Sequence, residues 1–206
     1  MRILFLGGNS FSLELVEFLK SIEEEVVYTQ DRIDLDIVKK INPDFIISYN
    51  YKHIIPKEVV RAYYPRIINL HISFLPYNRG AYPNVWSFLE DTPKGVTIHL
   101  VDEGVDTGDI LVQKEVFIDE EKETLRSSYL KLHREIQELF KENWESIKTL
   151  KIKPIKQHGG GSKHYRKEYS IFEPFIREKG WDTPIRELKE KYRAWRCAIE
   201  ELREPE

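Results

Sequence analysis

Ile67-Ile68-Asn69-Leu70-His71-Ile72 is a run of six residues, four of them apolar, that passes straight into Ser73-Phe74-Leu75-Pro76. A run of that length, rich in β-branched side chains and followed by a proline, predicts a buried strand. Working back toward the N-terminus, the same signal recurs at Phe45-Ile46-Ile47, at Val26-Val27-Tyr28 and from Ile3 to Leu6, where Gly7-Gly8 closes it. Between these runs the apolar residues recur at helical spacing. Phe11, Leu15, Phe18 and Leu19 form one set, with Asn9, Ser10 or Ser12 able to cap it. Ile33, Leu35, Ile37, Val38 and Ile41 form a second set that stops before Pro43, and Pro56 opens a third, short helix to about Tyr63. Strands separated by helical crossovers predict an α/β fold, a Rossmann-like open, mostly parallel sheet with helices on both faces. Such sheets place ligands beyond the carboxyl ends of their strands, which is where Asn69 and His71 fall.

Forward of this strand the pattern changes. From Ser73 to Asp91, Pro76, Gly80 and Pro83 stand among aromatic residues, which predicts a long ordered loop leading into a short helix. Val96 to Val101 and Ile110 to Val116 read as strands flanking the turn-rich segment Asp102-Glu103-Gly104-Val105-Asp106-Thr107-Gly108-Asp109. Leu125, Tyr129, Leu132, Ile136, Phe140, Trp144 and Ile147 keep a helical period behind the cap Thr124. The stretch 148–167 holds seven Lys/Arg and no acid, interrupted by Gly159-Gly160-Gly161, and reads as a flexible, solvated break. A last helix is expected from about Pro184 to Leu202. The division expected is a catalytic domain over 1–150, then a basic linker and short helical C-terminal extension over 151–206.

Composition narrows the functional classes. Lys+Arg at 32 against Asp+Glu at 35 gives a net charge of -3, which excludes a globally basic nucleic-acid binder. Cys197 is the one cysteine, so no internal disulfide or cysteine zinc site can form. No apolar run approaches the ~20 residues needed to cross a bilayer, and the start of the chain is wrongly built for a signal peptide. The expectation is a soluble, cytoplasmic protein without a membrane partner.

Residues two apart on a strand share a face, so Asn69 and His71 project together into the crevice. Asp106 lies between glycines at 104 and 108, where a carboxylate can turn inward beside a ligand. Gly95-Val96-Thr97-Ile98-His99 is a strand ending near the same edge, and His99 either flanks the site or serves the strand end. Gly7-Gly8-Asn9-Ser10 reads equally as a phosphate-binding turn or a plain strand-to-helix turn. Asp102, Glu103, Asp106 and Asp109 read better as a turn than as a cation site, and no metal is expected.

Taken in order, Asn-x-His-x-Ser-x-Leu-Pro, Arg79-Gly80, Gly-Val-Thr-Ile-His and Asp-x-Gly-x-Asp-Thr-Gly-Asp-Ile resemble the catalytic core of the 10-formyltetrahydrofolate-dependent formyltransferases. The resemblance covers roughly residues 1–150. It implies a formyltransferase fold, 10-formyltetrahydrofolate as formyl donor, and Asn69, His71 and Asp106 as the catalytic trio. It also implies folate contacts from Tyr51, Lys52, His53 and Ile54, and from Val101, Asp102 and Gly104. The chemistry suits these residue types. Formyl transfer to an amine passes through a tetrahedral centre whose oxygen gains negative charge, and one aimed donor such as Asn69 is worth roughly 3 kcal/mol. A histidine moves protons near neutrality, and a carboxylate beside it orients the ring or holds a relaying water.

The acceptor is read from the loop Asn78-Arg79-Gly80-Ala81-Tyr82-Pro83-Asn84-Val85-Trp86, which is most similar to the nucleotide-linked amino sugar N-formyltransferases. On that resemblance Ser73, Tyr77, Arg79, Gly80, Tyr82 and Trp86 bind the acceptor, with the aromatic rings packing on sugar or base. The alternative for any one of these rings is packing beneath the loop. Methionyl-tRNA formyltransferases carry a C-terminal β-barrel, whereas the last 20 residues here read as helix, so tRNA is the disfavoured acceptor. Glycinamide ribonucleotide stays open, as do a folate deformylase and a non-catalytic nucleotide-binding module. Only 68 residues precede Asn69, fewer than that superfamily commonly carries, so a helix–strand unit or long loop is expected to be missing. The helical tail is expected to pack either a homodimer or the core.

Overall fold

The structure is a computed structural model that describes residues 1–201. Its N-terminal part alternates β1 (Arg2–Leu6), α1 (Ser10–Ser21), β2 (Glu25–Thr29), α2 (Leu35–Ile41), β3 (Phe45–Tyr49), α3 (Lys57–Tyr63) and β4 (Ile67–His71). Then come β5 (Arg79–Gly80), α4 (Pro83–Leu89), β6 (Gly95–Leu100), β7 (Ile110–Glu115) and the long α5 (Leu125–Lys148). The chain continues through β8 (Lys163–His164), α6 (Tyr169–Ile176) and α7 (Ile185–Glu201). Six strands form the main sheet in the order β2-β1-β3-β4-β6-β7. The first four are parallel, and β6 runs antiparallel to both β4 and β7. The mostly parallel α/β sheet expected from the sequence is what forms.

Strand alternation explains the double-sided core. Ile3, Phe5, Phe45, Ile47, Tyr49, Ile68 and Leu70 face the layer containing α1 and α5. Leu4, Leu6, Ile46 and Ile67 face the layer of α2 and α3, with Val38, Val59 and Val60. A parallel sheet covered on both faces gives continuous apolar runs, which is why these strands were legible. Each crossover before β4 is helical, and α2 and α3 are only seven residues each. Four strands and three helices thus fill the 71 residues to the end of β4, in unbroken alternation.

Local capping sets the helix starts. The Asn9 side chain accepts from Ser12 N at the start of α1, and Thr124 accepts from Ser127 N at the start of α5. At the other end of α5, Glu24 is almost fully buried and joins three elements. It accepts from the Met1 ammonium at 2.7 Å, Lys148 Nζ at 2.8 Å and Trp144 Nε1 at 3.3 Å.

The C-terminal part packs on the core. Phe172, Ile176, Ile185 and Leu188 are buried in the same cluster as α4 and α5. The helix expected to Leu202 is present to Glu201, and Leu202 lies outside the described residues. The basic stretch does not behave as a free linker throughout. Ile155 forms an antiparallel bridge with Ile110, and β8 pairs in parallel with β5. Its composition suggested solvent, but its backbone groups and a few polar side chains find partners on the loops beyond the sheet.

Candidate active site

The site begins with register. Ser48, Asn69 and His99 form one row across β3, β4 and β6, and His71 pairs with Thr97 one step on. Asn69 and His71 share the face of Ile67, as the two-residue period requires. They stand where β4 ends, beyond the apolar rows of the sheet. The Asp106 turn closes over them. Asp106 takes a left-handed backbone, φ 53°, which an aspartate tolerates better than most residues.

Three side chains and one backbone group then meet at the Asp106 carboxylate. Asn69 Nδ2 donates to Oδ1 at 3.2 Å, and Gly80 N donates to Oδ2 at 2.8 Å. His71 Nδ1 lies 3.7 Å from Oδ2, and His99 Nε2 lies 3.5 Å from Oδ1. The carboxylate side chain is 14% exposed and the imidazoles of His71 and His99 are 8% and 2% exposed. Burial by itself pushes the Asp106 carboxyl up, but the two imidazoles and the Gly80 amide outweigh it. They hold its pKa well below the usual carboxylate range, so the group is ionised throughout neutral pH.

Partners fix the imidazole protons. His71 Nε2 faces the Asn78 carbonyl at 3.1 Å and therefore carries hydrogen, which leaves Nδ1 as the nitrogen turned toward Asp106. His99 Nδ1 donates to the Leu100 carbonyl at 2.7 Å, which leaves its Nε2 beside Asn69 Nδ2 at 3.2 Å. The arrangement can donate to an oxygen through an amide, accept a proton on an imidazole, and stabilise the resulting cation with a buried carboxylate.

The remaining expected site residues separate into groups. Tyr51, Lys52, His53 and Ile54 follow β3. Tyr51 is tied down by its hydroxyl to the Asp31 carbonyl at 2.5 Å, while Ile54 is 80% exposed. Val101 N donates to the Ile67 carbonyl, which holds the start of the second segment against β4. Asp102 Oδ1 accepts from Gly104 N at 3.0 Å and Thr107 Oγ1 at 2.7 Å, so this carboxylate closes its own turn. Ser73 is buried and donates to the Tyr77 carbonyl at 2.8 Å. Tyr77 is half-buried on the same loop. Arg79 points to Gln157, and Gly80 serves Asp106.

Two of the aromatic rings expected at the acceptor pack against the C-terminal part. Trp86 is 3% exposed and stacks on His164, with ring centroids 4.1 Å apart, so it packs beneath the loop and offers no surface to a ligand. Tyr82 is half-buried against Tyr169 and Phe172. The cause is the C-terminal part, whose aromatic residues fill the space that a loop read alone leaves open. The amides of the Gly7–Gly8 turn are also engaged, Gly7 N with the Thr29 carbonyl and Gly8 N with Ser12 Oγ. That turn shapes the entry to α1 and leaves neither amide for a phosphate.

Residues 15–143, well over half of the chain, match the family described as Formyl transferase. The chain belongs to the formyl transferase family. Among solved structures of formyl transferases, PseJ from Anoxybacillus kamchatkensis is 47% identical, with a TM-score of 0.85 over 91% of this chain and 97% of that one. That structure is a complex with UDP-4,6-dideoxy-4-formamido-L-AltNAc and tetrahydrofolate. A 4-N formyltransferase from Francisella tularensis is 26% identical, with a TM-score of 0.70 over 83% of this chain and 78% of that one. Curated relatives include methionyl-tRNA formyltransferases. One from Caldanaerobacter subterraneus is 30% identical over 89% of this chain and 59% of its own length. One from Finegoldia magna is 39% identical over 50% of this chain and 31% of its own length. The chain therefore spans well under two thirds of these curated formyl transferases.

Sequence reasoning assigned Gly80 to the acceptor and left His99 undecided between flank and strand end. It missed Asn78, whose carbonyl sets the His71 proton, and Gln157, which reaches in from the basic stretch. Neither residue carries a chemical signal of its own in the sequence.

Proposed function

We propose that this protein is an N-formyltransferase that moves a formyl group from 10-formyltetrahydrofolate to the amine of a nucleotide-linked 4-amino sugar. The observation that carries this reading is the 47% identity to PseJ over almost that whole chain, together with the sugar product and folate in that complex. Methionyl-tRNA as acceptor rests on lower identity over a smaller share of the relatives' length.

The donor supplies a formyl group on an amide-like nitrogen, and the chain's residues fit its transfer. The segment at 51–54, after the carboxyl end of β3, and the turn at 101–104, after β6, would hold the folate. Asn69, His71 and Asp106 would act at the reacting carbon. As the acceptor amine adds to that carbon, its surplus proton passes to His71 Nδ1. The imidazolium then faces the Asp106 carboxylate already held ionised beside it. When the bond from the formyl carbon to the folate nitrogen breaks, the same proton returns to the departing nitrogen. Atoms and charge balance without a covalent enzyme adduct. Both hydrogens of Asn69 Nδ2 have resting partners, Asp106 and His99. A developing oxyanion is a strong acceptor and would draw one of them from its resting partner.

Incubating the protein with 10-formyltetrahydrofolate and a panel of UDP- and dTDP-linked 4-amino sugars tests the reading. The expected result is the mass gain of one formyl group on at least one sugar and release of tetrahydrofolate. Formylation of methionyl-tRNA or glycinamide ribonucleotide alone would reassign the acceptor, and binding without turnover would reassign the protein to a non-catalytic module.

A further inference from the structure

Residues 155–164 follow the part of the chain that matches the family, yet they are fastened to β5 and to Ile110 at the start of β7, on either side of the Asp106 turn in sequence. Within them Gln157 is turned inward while its neighbours Lys156 and His158 are exposed. Its carboxamide uses its full capacity. Oε1 accepts from Arg79 Nε at 3.0 Å and from Arg79 Nη2 at 2.7 Å. Nε2 donates to the Asp106 carbonyl at 2.9 Å and to the Gly108 carbonyl at 2.8 Å. The amide cannot be turned over, because that would set N–H against guanidinium N–H and oxygen against two carbonyls.

We infer that Gln157 is a positioning residue, which acts through the backbone of the Asp106 turn and through Arg79 to hold the carboxylate at the end of β4. The inference rests on the formyl-transfer reading only for its kinetic part. The turn it clamps has a left-handed residue at its centre, a conformation sparsely populated by residues with a Cβ and held here by its neighbours. The strand it clamps carries Gly80, whose amide is the shortest hydrogen bond to the Asp106 carboxylate. One side chain thus joins the backbone on the carboxylate's own turn to the strand that orients its oxygens. Around it, Ser162 Oγ accepts from Asn78 N at 2.9 Å, so the same segment also steadies the carbonyl that faces His71.

Gln157→Glu separates positioning from bulk. A carboxylate of the same shape keeps the Arg79 contact but places oxygen against the Asp106 and Gly108 carbonyls. Gln157→Met keeps the volume and removes every hydrogen bond. We expect kcat to fall by about 10- to 100-fold in both, the scale of a small misplacement of catalytic groups, with KM for the folate changed less than threefold. Amide hydrogen exchange at Gly80 supplies a readout that needs no turnover. Its protection should drop at least tenfold in Gln157→Glu while protection in β1 and β3 stays unchanged. A kcat within twofold of wild type in both variants overturns the inference, as does unchanged Gly80 protection. A uniform loss of protection throughout the sheet also overturns it, by reducing Gln157 to a general stability role. An inactive wild-type protein would sink the formyl-transfer reading, and the exchange measurement would still decide the positioning.

Discussion

The Gly80 amide donates to Asp106 Oδ2 at 2.8 Å across 26 positions of sequence, from a backbone with φ +88°. Arg79 N and Ala81 N donate to the Ser162 and His164 carbonyls, so the Gly80 N–H between them points away from β8 and to the carboxylate. A Cβ at this position would collide with the His164 carbonyl oxygen. The smallest residue of the loop is therefore the one whose backbone orients the acid.

Gly80→Ala should accordingly damage stability and turnover together. The left-handed conformation alone costs about 1–2 kcal/mol for alanine, and the collision with His164 forces β5 from β8. A urea unfolding curve should show a loss of that order or more, and formyl transfer by the folded fraction should fall as Gly80 N leaves Asp106. An unchanged midpoint would mean that β8 moves aside freely.

Asp106→Asn and His71→Ala test the charge and the base separately. In Asp106→Asn the oxygen facing Gly80 N is kept, but an NH2 group then meets Asn69 Nδ2, which also donates. Each variant should lose about 10²-fold or more in kcat, the usual scale for positioned acid–base groups, while far-UV circular dichroism stays native. The depressed pKa of Asp106 has a consequence for pH dependence. The carboxylate is already ionised well below neutrality, so the acid limb of the wild-type rate belongs to protonation of the acceptor amine and not to Asp106. A flat rate between about pH 5 and about pH 8 would contradict that assignment.

How much of this was legible in sequence follows from the range of each interaction. Ile3–Leu6, Phe45–Ile47 and Ile67–Ile72 announced strands because a sheet covered on both faces needs unbroken apolar runs. Asn69 and His71 were placed together by the two-residue period, and Asp106 by its glycine-flanked turn. Trp86 was not legible in the same way. Whether an aromatic ring in a loop meets ligand or core depends on what arrives later in the chain, here His164 and Phe172. Gln157 was hidden for the same reason: a glutamine among lysines looks solvated until the turn it reaches is known.

Glu24→Ala should destabilise the fold without touching catalysis. Burial pushes the Glu24 carboxyl up, but the Lys148 and N-terminal ammonium groups outweigh it and hold its pKa below the ordinary value. Its removal strands Trp144 Nε1, 3.3 Å away, in the core beneath Phe45. A charged hydrogen bond is worth roughly 1.5–3 kcal/mol, discounted here because Lys148 keeps part of its exposure to water. The expected loss is therefore about 1–2 kcal/mol. Urea unfolding should register it, and the kcat of folded protein should be unchanged. A drop in kcat with an unchanged unfolding midpoint would contradict a purely structural role.

His133 gives the fold a pH dependence of its own. The ring is fully buried, stacks on Phe11 at 4.1 Å, and takes its one side-chain hydrogen bond at Nδ1 from the Tyr49 hydroxyl at 2.5 Å. Among the described residues Nε2 has no partner, and burial pushes the imidazole pKa down to about 3. The unfolded chain takes up that proton near pH 6.5, so between about 6.5 and 3 the unfolded state binds more protons and stability falls as pH falls. Above about pH 6.5 both states are neutral and the contribution is flat. One proton corresponds to about 1.4 kcal/mol per pH unit, so going from pH 7 to 5 should cost about 2 kcal/mol through this group. The depressed carboxylates, Asp106 and Glu24 among them, lose their contribution only below their unfolded values near pH 4 and leave this window clear. His133→Gln keeps an acceptor for Tyr49 and has no proton to gain. Unfolding free energies at the two pH values should therefore differ less in His133→Gln than in wild type by that amount. Parallel pH dependences in the two proteins would show that the ring is hydrated, or protonated, in the folded state.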